Sequence, residues 1–157
     1  MKRVFGIIVL GIVIIGAMYY FAKETTTPEI ISESQWRSTS SRSELMPTQT
    51  SEGVLLRAAK EGDVSRTSVQ VEVPRNTVGL VFDMKFQEKG DGDWLTVTFN
   101  NQLLMSFRGG DFFGADFTDT DLPISRLAGK TGILEFALNG YGSAPSSVLI
   151  KNTRFIK

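Results

Sequence analysis

The chain has 157 residues, 17 basic and 17 acidic side chains, and neither histidine nor cysteine. Zero net charge argues against a nucleic-acid surface. The missing histidine removes the commonest general base and metal ligand, and the missing cysteine excludes disulfides, thiolate metal sites and a lipid-modified cysteine.

In chain order, residues 4–22 read VFGIIVLGIVIIGAMYYFA, without a single charge. As a helix this stretch rises about 28 Å, close to the hydrocarbon thickness of a bilayer. It has no polar face, as a soluble core helix would. Lys2 and Arg3 precede it, and Tyr19, Tyr20 and Phe21 close it where amphipathic rings favour the interface. The expectation is a transmembrane signal anchor, with residues 1–3 cytoplasmic and the C-terminal domain periplasmic or extracellular. The competing reading is a signal peptide cleaved near Ile15-Gly16-Ala17, although the apolar stretch runs on to Ala22.

Residues 23–51 are rich in Ser, Thr, Pro and charge, and their few apolar residues keep no period. They read as a disordered tether. Trp36 is the exception, an aromatic that packs on the domain, packs on a partner, or is incidental.

From residue 52 short apolar alternations begin, separated by Gly, Asn, Asp and Pro. Val69, Val71 and Val73 alternate with polar neighbours until Pro74. Leu80, Phe82, Met84 and Phe86 form a second set, then Leu95, Val97 and Phe99, then Leu103, Met105 and Phe107. Leu134, Phe136 and Leu138 follow, and a last strand spans residues 147–156. Period two means one buried and one wet face. Asn100-Asn101 suits a tight hairpin, because asparagine tolerates left-handed backbone. No helical period appears beyond the anchor. The fold expected for residues 52–157 is all-β, a two-layer antiparallel jelly-roll β-sandwich with a single core.

The run TSVQVEVPRNTVGLVFDMKFQEKGDGDWLTVTFNNQLLMSF resembles a recurring bacterial extracellular β-sandwich, as do DFFGADFTDTDLPISRLAGKTGILEFALNG and SSVLIKNTRFIK. Such domains look like galactose-binding-like or carbohydrate-binding-module-like jelly rolls. The resemblance implies an appendage of a secreted enzyme or surface protein, itself without catalysis. Many relatives carry an aspartate in the last strand that helps hold a structural calcium. Here Lys151 stands at that position, a poor neighbour for a cation.

Three groups are candidates for chemistry. Asp91 and Asp93, two residues apart on a glycine turn, offer carboxylates to calcium or simply cap a polar hairpin. Trp94 lies out of phase with Leu95, Val97 and Phe99, so it points off the core as a platform for a sugar ring or as a cover for the core mouth. The loop holding Asp111, Phe112, Phe113, Asp116 and Phe117 is either an apolar recognition patch or a plug for the sandwich end. Asp119 and Asp121 are placed to cap the turn at Leu122-Pro123-Ile124-Ser125. No nucleophile elbow or Ser-Lys pair stands out, and an enzyme is not expected. The expectation is a non-catalytic, membrane-anchored binding module, an accessory subunit meeting a protein partner in the cell envelope. The alternative is a carbohydrate-binding module that uses Trp94 and the loop of Phe112–Phe117. No cofactor is expected apart from a possible calcium.

Overall fold

The computed structural model describes residues 29–32, 35–88 and 92–157. The expected anchor, residues 4–22, lies outside them. Among the described residues no helix is long and apolar enough to cross a membrane.

Eleven strands are described: β1 (Glu29–Ile30), β2 (Arg37–Ser40), β3 (Thr48–Thr50), β4 (Gly53–Ala58), β5 (Val64–Glu72), β6 (Gly79–Glu88), β7 (Trp94–Phe99), β8 (Gln102–Arg108), β9 (Thr118–Pro123), β10 (Thr131–Asn139) and β11 (Ser146–Ile156). One sheet, sheet A, runs β3-β4-β11-β6-β9, with β1 added beside the end of β11. The other, sheet B, runs β2-β5-β10-β7-β8. Every pairing is antiparallel. Around the β7–β8 hairpin the pairs are nested: β7 with β8, β6 with β9, β5 with β10, β4 with β11. A long hairpin wrapped in this way into two sheets is a jelly roll.

The hairpin forms where asparagine allows it. Asn100 and Asn101 both have positive φ, 48° and 63°, the backbone of a two-residue turn that follows the strand twist. The Asn100 side chain then accepts the Ile133 amide at 2.8 Å, fastening the turn to β10.

The core follows the period-two sets. Leu80, Phe82, Met84 and Phe86 of β6 face Leu95, Val97 and Phe99 of β7 and Leu134, Phe136 and Leu138 of β10, all buried. A run of rings crosses the gap: Trp36 on Phe136 at 5.5 Å, Phe136 on Phe82 at 4.9 Å, Phe82 on Phe107 at 6.0 Å. Sheets packed about 10 Å apart need side chains of this size to close.

Three expectations need correcting. Residues 29–32 and 35–51 are not a tether. They supply β1, β2 and β3, bury Trp36 and Leu45, and so extend the sandwich upstream of residue 52. Their sequence hides this because β1, β2 and β3 are short edge strands, which need no apolar period. The set Leu103, Met105 and Phe107 breaks at a bulge opposite Val97 and Thr98, so Leu104 and Phe107 pack on the core while Leu103 and Met105 are exposed. Asp119 and Asp121 cap no turn. They sit exposed on β9, and the 3-10 turn Ser125–Leu127 has no side-chain cap.

Asp63 closes the sandwich end above β2. Its carboxylate accepts from Arg42 Nε at 2.9 Å and Arg42 Nη2, and from the amides of Ala59 at 2.9 Å and Lys60 at 3.0 Å. Burial works against its charge, but the Arg42 and amide bonds outweigh that and hold the carboxyl below the usual carboxylate range.

Two predictions follow from this packing. Trp36→Ala removes a core ring and should cost about 3–5 kcal/mol in chemical denaturation; an unchanged midpoint would return residues 29–51 to a tether. Asp63, titrating lower folded than unfolded, contributes stability that is complete above about pH 4 and is lost as the pH falls through its folded value. Asp63→Asn should therefore melt below the wild type at neutral pH, and the gap should close in acid.

Candidate functional site

The strand β7 begins at an exposed tryptophan because the residue before it is turned inward and fastened. Asp93 is 1% exposed. Its Oδ1 accepts the amides of Tyr141 at 2.8 Å and Gly142 at 3.0 Å, and its Oδ2 accepts the Ser146 hydroxyl. The Asp93 carbonyl accepts the Gly109 amide at 2.8 Å. One buried residue thus ties the start of β7 to the β10–β11 loop and to the end of β8. Leu95 then points inward, and Trp94 points outward with 37% of its surface exposed. Asn139, its partner on β10, donates from Nδ2 to the Trp94 carbonyl at 3.3 Å and to Thr96 Oγ1 at 3.2 Å. Tyr141, held by Asp93 two residues further on, is 62% exposed. Gly140 allows this turn, since a Cβ there would meet the Lys60 carbonyl oxygen at 2.3 Å.

These residues stand at one end of the outer face of sheet B. The strand registers set rows of outward side chains across it. Arg66, Ala137, Thr96 and Ser106 lie side by side on β5, β10, β7 and β8, with Thr39 beside Arg66 on β2. The next row holds Arg37, Ser68, Glu135 and Thr98. Ala137, small and buried, forms a floor between polar side chains. Two hollows open on the β2–β5 side of this face: one of about 380 Å³ beside Arg37, Ser68, Gln70 and Ile133, and one of about 290 Å³ beside Thr39, Ser41 and Arg66.

The loop candidates go elsewhere. A helical turn, α1 (Gly109–Phe112), aims Phe112 into the open end of the sandwich, against Phe107 at 5.8 Å and Phe86 at 6.5 Å. Phe112 is a plug. Phe117 lies on the outer face of sheet A, with Lys151 Nζ 3.5 Å from its ring centroid and Lys85 Nζ at 5.8 Å. Asp116 pairs with Lys85 at 3.7 Å. Phe113, 44% exposed, and Asp111 remain free-standing on the surface. Trp94 and Phe117 therefore belong to opposite faces, and no single patch unites the tryptophan with the whole loop.

Calcium finds little here. Asp93 has both oxygens engaged, and Asp91 lies outside the described residues. Among the described residues no three acidic side chains converge as a metal site. On the last strand the Lys151 ammonium rests on Phe117, and Asn152, at φ 54°, donates to Asp83 at 2.6 Å.

Arg37, Arg66, Asn139 and Tyr141 escaped sequence reasoning. The alternation of Ser68, Gln70 and Glu72 with Val69, Val71 and Val73 did mark an outward face, but it started downstream of Arg66. Nothing local says that β2, β5, β10 and β7 lie side by side, which is what gathers these residues.

No protein-family model matches the chain, and no curated protein matches it. Solved structures share the fold. TmCBM61, determined in complex with β-1,4-galactotriose, superposes with a TM-score of 0.56 at 11% identity, over 80% of this chain and 90% of that one. The xylan-binding module CBM15 gives 0.55 at 12% identity, over 82% and 95%. The cleaved adhesin domain of Lys-gingipain from Porphyromonas gingivalis gives 0.57 at 11% identity, over 84% and 98%. At these identities the likeness is one of fold: an all-β, two-sheet antiparallel sandwich.

The geometry of Asp93 generates a prediction. Melting in calcium and in a chelator should give the same midpoint, while Asp93→Ala, which takes the acceptor from two loop amides and from the buried Ser146 hydroxyl, should lower it markedly. A midpoint raised by calcium would reinstate a metal at this turn.

Proposed function

We propose that this protein is a non-catalytic glycan-binding module whose platform is the outer face of sheet B. One observation carries the reading: an exposed tryptophan, fixed at its root by Asp93, borders an open sheet face of hydroxyl, amide and guanidinium groups. A sugar ring offers an apolar C–H face and a rim of hydroxyls. Trp94 suits the first by stacking, and Thr96, Thr98 and Asn139 suit the second by hydrogen bonding. Tyr141 adds a second ring near the same end. Two of the fold neighbours support the reading, one solved with a galactotriose and one described as xylan-binding. In this reading Phe112 and Phe117 serve the fold, and Asp111, Phe113 and Asp116 lie off the platform.

The same proposal includes display. Residues 4–22, as a retained anchor, hold the sandwich on the outer side of a membrane, periplasmic or extracellular, where polysaccharide is met. A protein partner in the cell envelope is the second reading, and the exposed ring of Phe113, away from the platform, favours it.

The test is calorimetric titration of the full chain in mild detergent with galactan, xylan and glucan oligosaccharides. Trp94→Ala should weaken binding about tenfold or more, a loss of about 1.4 kcal/mol or above. Phe113→Ala should leave it unchanged. With Trp36 in the core, ligand-induced quenching of fluorescence reports Trp94. No binding to any glycan, with co-purification of an envelope protein that Phe113→Ala abolishes, would replace this reading by the second.

A further inference from the structure

The charge on the platform is one-sided where it is hollow. Arg37 on β2 and Arg66 on β5 are both exposed and both point outward. Arg37 pairs across with Ser68, and Arg66 with Thr39, so the two arginines are diagonal neighbours, about 7–8 Å apart at such positions. Among the described residues neither forms an ion pair. The described pairs are those of Arg42 with Glu44 and Asp63, Lys85 with Asp116, and Arg154 with Asp119. Each arginine borders one of the two hollows, and neither hollow is lined by a carboxylate. Hydroxyl and amide groups make up the rest: Thr39, Ser40 and Ser41 around Arg66, and Gln35, Ser68 and Gln70 around Arg37. Glu135 on β10 pairs with Ser68 and so stands diagonal to Arg66, as Arg37 does from the other side, but it makes no ion pair with either arginine.

Two like charges held this close outnumber the single carboxylate beside them, and an anion from outside relieves their repulsion. We infer that this half of the face recognises a carboxylate borne on a sugar ring, so that the glycan bound is a uronate-containing chain. The inference rests on the glycan-binding reading above and narrows its ligand. A guanidinium presents parallel N–H donors matched to a planar carboxylate, and the surrounding hydroxyls and amides meet the sugar's own hydroxyls. A chain laid across the strands, which are about 4.8 Å apart, would run from Trp94 and Asn139 on β7 and β10 towards Arg66 and Arg37 on β5 and β2.

The test compares oligogalacturonate with its methyl-esterified form, the same sugar without the charge, against the full chain in mild detergent. Xylopentaose and dextran sulfate serve as the neutral and the generic anionic probes. The free acid should bind about tenfold or more tighter than the ester, and the difference should shrink as salt rises. In the double variant Arg37→Gln, Arg66→Gln the difference should vanish, while the melting midpoint stays near wild type because both side chains are exposed. Equal binding of acid and ester overturns the inference, as does a difference that survives in the double variant. Dextran sulfate bound as well as the uronate also overturns it, in favour of an unselective anionic surface. Binding of xylopentaose alone, lost in Trp94→Ala and unaffected by the arginine changes, overturns this inference and keeps the glycan-binding reading. Failure of every glycan removes both.

Discussion

Filling the gap between the two sheets with rings is the constraint on which the rest of this structure depends. Phe136 from sheet B meets Phe82 from sheet A edge to face, and Trp36, Phe107 and Phe112 continue the contact on either side. In a strand, successive side chains point to opposite faces. Once Phe82, Val97, Phe136 and Leu138 are committed inward, their neighbours Asp83, Thr96, Thr98, Ala137 and Asn139 are committed outward. The outer face of sheet B, polar across its middle and with a small floor at Ala137, is therefore a consequence of the core. The same constraint explains Trp36. An edge strand as short as β2 gains little from its ladder, and a tryptophan buried beside Phe136 holds it on the sheet.

Two buried carboxylates connect this core to the surface. Asp63 gathers Arg42 and the turn after β4, and Gly140 binds to it through paired backbone bonds with Asp63 and Gly62. Asp93 gathers the β10–β11 loop and the start of β7. Neither side chain reaches the platform. Both act on it through the backbone, Asp93 by fixing the root of Trp94 and the amide of Tyr141, and Asp63 by fixing the turn from which Tyr141 emerges. A buried carboxylate that accepts several bonds is costly to disturb, because several donors lose their acceptor at once. The aromatic end of the platform is thereby preorganised, and the ordering cost that a flexible loop would add on binding is reduced.

The central strands were legible from their alternation, since β5, β6, β7 and β10 bury the expected sets. The Asn100-Asn101 turn was legible from its chemistry. The outward aim of Trp94 was legible from its phase against Leu95. The edges were not. Residues 29–51 have edge-strand sequences, polar on both sides, and such strands are placed by their neighbours rather than by their own pattern. The bulge in β8 erased a phase that looked regular, because one inserted residue sends the following side chains to the other face. The loop of Phe112 to Phe117 was read as one unit. Its rings serve two different layers, since a chain crossing from sheet B to sheet A passes one ring into the sandwich end and the next over the far side. The arginine pair depends on the register of β2 with β5, a long-range fact absent from any window of sequence.

The two outer faces differ in a way that favours sheet B as the proposed binding surface. On sheet A several charges are engaged: Arg154 pairs with Asp119 and Lys85 with Asp116, Asp83 accepts from Asn152, and Lys151 rests on the ring of Phe117. A ligand there would have to break contacts before making its own, and an exposed ion pair exchanged for another gains little. On sheet B the Arg37 and Arg66 guanidiniums meet no carboxylate, and the hollows beside them are open. The face with the two unpaired arginines is also the one that carries the exposed tryptophan, and the coincidence of charge, open volume and a fixed ring on one surface is what the proposed site rests on.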